Sequence, residues 1–144
     1  MDTPKTSARI LERVLATAAV VLSLVVCIWA RQKYSPISPL TAAYLVEVVV
    51  VSFVCGVGLW RSRAEDSSLS ILAAWVSIGM LAGFTLMGLW SIGVFFVPVD
   101  AMFITAALMA TNRKHASMPS HLGACGLAAF AQAAMMLCVI RWMH

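Results

Sequence analysis

A chain of 144 residues that is 62% hydrophobic and 11% charged, with a mean hydropathy of +0.93, carries more apolar side chain than one soluble core of this size can cover. Its formal charge of +4 does not point to nucleic acid, because the basic residues stand in pairs beside apolar runs (Arg31/Lys33, Arg61/Arg63, Arg113/Lys114) and do not line one face. Four cysteines, Cys27, Cys55, Cys125 and Cys138, fall inside those runs without CxxC spacing, which argues against a disulfide framework or a zinc site and leaves them as small apolar fillers.

Lipid is therefore the expected solvent, and a helix needs about 20 apolar residues to cross about 30 Å of hydrocarbon. Residues 1–13, with Lys5, Arg9 and Arg13, read as a cytoplasmic N-terminal segment ahead of a single transmembrane domain over 14–142. The first apolar run reads as an uncleaved anchor in preference to a cleaved signal. Asp2 and Glu12 dilute its basic start, Ile28 stands where cleavage after Ala30 needs a small residue, and Val26 before Cys27 is a poor lipoprotein site.

The first span covers 14–30 and closes on Trp29 and Arg31, an interfacial aromatic followed by a cation. The second covers 40–60, introduced by Ser38-Pro39 and closed by Trp60 and Arg61. Glu47 interrupts it at roughly 3 kcal/mol, against eleven Leu, Val and Phe residues that each favour insertion by about 0.3 to 0.6 kcal/mol. Residues 69–111 carry one charge, Asp100, over about twice the length of a span, so they read as a helical hairpin. Its turn is placed at Gly88-Leu89-Trp90-Ser91, giving spans 69–88 and 91–111; a turn at Pro98-Val99-Asp100 would leave too few residues for another crossing. The fifth span covers 122–140 and ends in Arg141 and Trp142.

Five spans with the N-terminus inside put Lys5, Arg9, Arg13, Arg61, Arg63, Arg113 and Lys114 in the cytoplasm and Arg31, Lys33 and Arg141 outside. That division of seven against three obeys the positive-inside rule better than the six against four of a four-span alternative. The expected architecture is an all-α integral membrane bundle of about five transmembrane helices.

That topology sets Glu47, Asp100 and Gln132 at a common depth, about 10 to 14 Å below the outer hydrocarbon surface, where side chains on three helices can meet. Two carboxyls sharing a proton beside an amide would make a proton or cation relay, with Tyr44 as a donor one turn before Glu47 and Pro98 freeing a backbone carbonyl near Asp100. The competing structural reading, favoured here, is interhelical glue or contact with a partner subunit.

Gly79 and Gly83 form a GxxxG pattern read as packing within the chain, and Ala129 and Ala133 a weaker small-residue ridge. Met80/Met87 and Met102/Met109 read as core filling and not as a copper path. His115, His121 and His144 read as solvated, with no mid-membrane histidine to hold a haem, so neither metal nor cofactor is expected. No nucleophile, phosphate-loop or metalloprotease motif occurs, which makes an enzyme the least supported class. The functional expectation is a non-catalytic subunit, assembly factor or scaffold, alone or with a partner subunit or second copy. A small proton- or cation-coupled transporter using Glu47 and Asp100 is the alternative. Compact loops and the lack of an N-x-[ST] acceptor fit a bacterial inner membrane.

Overall fold

In a computed structural model of the chain, residues 3–34, 36, 39–64, 68–89, 92–114 and 117–142 are described, with side chains at all of these except 3–6, 9, 39–40, 63–64 and 68. Five helices are long and apolar enough to cross a membrane. They are α1 (Thr3–Lys33), α2 (Pro39–Ala64), α3 (Ser68–Met87), α4 (Val97–Arg113) and α5 (Met118–Trp142), with a 3-10 turn, Gly93–Phe96, leading into α4. No strand occurs among the described residues. The chain is an all-α membrane bundle.

Backbone chemistry sets the helix ends. α2 opens on Pro39, whose missing N–H is no loss at a first helical position. α3 stops where Gly88 N–H donates to Phe84 O at 2.9 Å and Gly93 N–H reaches back to Gly88 O at 2.7 Å. The two glycine backbones approach so closely that a Cβ on Gly93 would strike the Gly88 peptide, so glycine is required there. At the start of α5, Ser120 Oγ donates to Ser117 O at 2.9 Å and His121 Nδ1 lies 2.7 Å from the same carbonyl.

Helices α1 to α4 form a four-cornered bundle in which α1 packs on α2 and α4, α3 packs on α2 and α4, and α2 touches α4 across the middle. α5 stands outside this square, laid along α3 in the most extensive helix pairing of the fold. Trp75, Phe103, Leu59, Ile71 and Ile78 fill the centre, while Ala16, Ala19, Ala74, Ala106 and Ala110, all buried, let backbones approach. Outward-facing Val21, Val46, Phe53, Leu86 and Phe130 give the bundle the apolar exterior that lipid solvates.

Most neighbouring pairs also carry a polar tie. Ser23 and Ser52 share a hydroxyl bond of 2.9 Å between α1 and α2, and Cys55 Sγ donates to Ala74 O at 3.7 Å between α2 and α3. Trp75 Nε1 donates to Thr111 Oγ1 at 3.0 Å between α3 and α4, and Arg113 meets Glu12 at 3.4 Å between α4 and α1. That ion pair puts the start of α1 and the end of α4 at one end of the bundle, while Trp29 against Phe95, with ring centroids 4.8 Å apart, joins the opposite ends. Both contacts agree with alternate crossings.

Two local expectations, the solvated His121 and the carbonyl freed by Pro98, do not hold. α1 is helical from Thr3, well before the apolar run that opens at Val14, and Glu12 is buried beside Arg113, which neutralises it. His121 is not a loop residue but a buried one in the first turn of α5, which begins four residues earlier than the hydrophobic run. The fourth span enters as a 3-10 turn, because Pro98 lies in the first turn of α4; there its missing N–H breaks no helical ladder and frees no carbonyl beside Asp100. The hairpin turn holds at Gly88 and Leu89, while Trp90 and Ser91 lie outside the described residues, as do His115, His144, Ser38 and the side chains of Lys5, Arg9 and Arg63.

Gly79 and Gly83 both face α5. A Cβ on Gly83 would sit 2.8 Å from Ala129 O, and one on Gly79 would collide with the Cys125 carbonyl, whereas Gly123 and Gly126 on the outer face of α5 have nothing within 4 Å. Gly83→Leu is therefore expected to destabilise the bundle by about 1 to 3 kcal/mol through overpacking. Gly126→Leu should stay within about 0.5 kcal/mol of wild type, both read as thermal melting midpoints in one detergent.

Candidate intramembrane polar site

Two separate polar centres lie in the half of the bundle where α2 begins and α3 ends. The first is a tie between α2 and α5: Gln132 Nε2 donates to Glu47 Oε1 at 3.2 Å. Glu47 is half-buried, and Gln132, 2% exposed, has its Oε1 without a partner. The amide fits because Gly83 makes room for it. A Cβ at that glycine would lie 3.0 Å from Gln132 Cβ and 3.3 Å from its Cγ.

Tyr44 stands one turn before Glu47 but does not bond it. Its hydroxyl donates to Met136 Sδ at 3.0 Å, and its ring meets Phe84 edge-on at 4.3 Å, so Tyr44 is a second link from α2 to α5. In this arrangement the hydroxyl is directed at the Met136 sulfur and not at the Glu47 carboxyl.

The second centre is Asp100 on α4, 92% buried, with Thr85 of α3 set beside its carboxyl. Asp100 Oδ1 and Thr85 Oγ1 are both buried without a partner that meets hydrogen-bond geometry. No hydrogen bond joins Asp100 to Glu47 or Gln132. The common depth read from the sequence thus brings two of its three residues together and leaves the third facing another helix. Depth along the membrane normal is legible from helix length, whereas the direction around each helix depends on packing, and Asp100 points at α3.

At the end of the bundle where α2 begins and α3 ends lies a cavity of about 400 Å³ walled by Thr41, Tyr44, Phe84, Met87, Gly93 and Phe96. It is apolar and aromatic, and none of the carboxyls lines it. Among the described residues, no three His, Cys, Asp or Glu side chains converge as a metal set, and Cys27, Cys55, Cys125 and Cys138 are free thiols. Met80 and Met102 pack against the core.

No family model, curated protein or solved structure matches the chain. The ties Ser23–Ser52, Trp75–Thr111 and Glu12–Arg113 were not anticipated from the sequence. Glu12 and Arg113 gave a usable signal, being opposite charges expected at the same end of adjacent helices; the two hydroxyl ties gave none, since serine and threonine are common in membrane helices.

If the Glu47–Gln132 pair acts as a tie, Glu47→Gln keeps an acceptor oxygen for the amide and should change the melting midpoint little. Gln132→Leu should instead cost about 1 to 2 kcal/mol, because it strands Glu47. A double-mutant cycle in detergent checks this, with a coupling of about 0.6 to 1.7 kcal/mol as the expected outcome.

Proposed function

We propose that the protein is a non-catalytic membrane subunit, assembly factor or scaffold that holds a partner transmembrane helix, or a second copy of itself, on the outer face of α5. The exposure of α5 carries this reading. Only 6% of its apolar span is buried, against 28 to 56% in the other four helices. Its outward glycines, Gly123 and Gly126, present bare backbone with open space around them, a feature that lets another helix approach closely. Glu47 and Tyr44 add to the case, because both bond side chains of α5 and so help to hold it on the bundle. The excess of Lys and Arg at one end supports a cytoplasmic N-terminus, and the short connections support the inner membrane of a bacterium.

A second reading, a small proton- or cation-coupled transporter, is favoured by one observation: the unpartnered oxygens of Asp100 and Thr85. It no longer draws on Glu47 and Asp100 as a pair. Vesicles containing the pure protein should then show proton or cation flux that Asp100→Asn abolishes.

Native mass spectrometry after gentle extraction tests the first reading. The expected result is a complex with a partner chain or a dimer, reduced at least tenfold by Gly126→Leu with no change in melting midpoint, an effect of about 1.4 kcal/mol or more on association. A wild-type chain that extracts only as a free monomer would contradict it.

A further inference from the structure

Asp100 and Thr85 form the polar group that helix packing does not use. Each side chain is more than nine-tenths buried, they belong to different helices, and although the Thr85 hydroxyl stands beside the Asp100 carboxyl, neither Thr85 Oγ1 nor Asp100 Oδ1 has a partner in hydrogen-bond geometry. A carboxylate removed from water needs a counter-charge or a proton, and no ion pair reaches Asp100 among the described residues. Titratable side chains that feel its charge include the thiols of Cys55 on α2 and Cys125 on α5. Cys55 is already committed to the Ala74 carbonyl at 3.7 Å, so it supplies no neutralising bond.

The surroundings add a third oxygen. Leu89 N–H, the regular helical donor to Thr85 O, bonds Leu86 O at 3.4 Å instead. The Thr85 carbonyl at the C-terminal end of α3 therefore faces Gly93, where a Cβ would come within 2.6 Å of it. Helix C-termini carry partial negative charge, and carbonyls released at such ends coordinate cations in membrane proteins.

We infer that the Asp100 carboxylate and the Thr85 hydroxyl bind a monovalent alkali cation of the sodium class in competition with a proton. The donors are hard oxygens, which select against copper or zinc, and a single carboxylate balances one positive charge where a divalent ion would leave an excess in low dielectric. The inference goes beyond the subunit reading and does not rest on it, since binding here needs neither a partner on α5 nor transport.

The experiment uses the full chain in liposomes and dicyclohexylcarbodiimide, a lipid-soluble reagent that attacks protonated carboxyls, with labelling of Asp100 read by peptide mass spectrometry. Labelling in choline chloride should be slowed about tenfold by sodium chloride at a concentration about ten times the dissociation constant. Thr85→Val should label at the choline rate in both salts, and Thr85→Ser should keep the sodium effect. Labelling of wild-type Asp100 that ignores sodium, which would leave a proton site alone, overturns the inference. So does an Asp100 that labels in neither salt, or a sodium effect that survives in Thr85→Val. If Thr85→Val does not fold, the wild-type comparison between salts still decides. Because the readout needs only the isolated chain, a negative result leaves the subunit reading standing.

Discussion

Lipid tails are as apolar as leucine, so once the five helices are inserted no hydrophobic force draws them together. What remains is close backbone approach and bonds between polar groups that have no water to turn to, and both are distributed around this bundle. Buried alanines line the contacts of α1 and α4, serine hydroxyls join α1 to α2, and the Trp75 indole joins α3 to Thr111 on α4. Each such bond is modest, about 0.6 to 1 kcal/mol, but the alternative for each group is an unsatisfied dipole in hydrocarbon. The Glu12–Arg113 pair closes the square at the end where the chain starts.

The same constraint explains why α5 differs from the rest. It adds no corner to the square and is held along one line, by the glycines of α3 and by two side chains of α2 that reach past α3 to Gln132 and Met136. Its other faces are left to lipid or to another helix. Asp100 differs in a complementary way. Where Glu47 is answered by an amide, the Asp100 carboxyl has a hydroxyl beside it and an oxygen with no donor, an arrangement that a structural role alone does not require.

Much of this was legible in the residues. Span number follows from apolar length, and the hairpin within 69–111 follows from a run too long for one crossing; the turn fell at Gly88, where two backbones meet. That Gly79 and Gly83 allow close packing was visible as a small-residue pattern, whereas their partner, α5 at Cys125 and Ala129, was not. Depth was legible too, since it is a count of residues at fixed rise, and it brought Glu47 to Gln132. Azimuth was not. Membrane helices that are apolar all round carry little periodicity to say which face turns inward, so nothing in the sequence separates a carboxyl aimed at α5 from one aimed at α3. For the same reason the helical course of residues 3–13 and the burial of His121 escaped a reading based on hydropathy alone.

In this architecture the five helices cross lipid in alternation, with Glu12 and Arg113 on one side and the Gly88–Gly93 turn on the other. Single cysteines in a background without the four native ones, at Pro36, Leu89, Ser7 and Ser117, can be exposed to a membrane-impermeant maleimide in sealed, oriented vesicles. The account predicts that Pro36→Cys and Leu89→Cys label from one side only and Ser7→Cys and Ser117→Cys from the other. Labelling of Leu89→Cys and Ser117→Cys from the same side would contradict it.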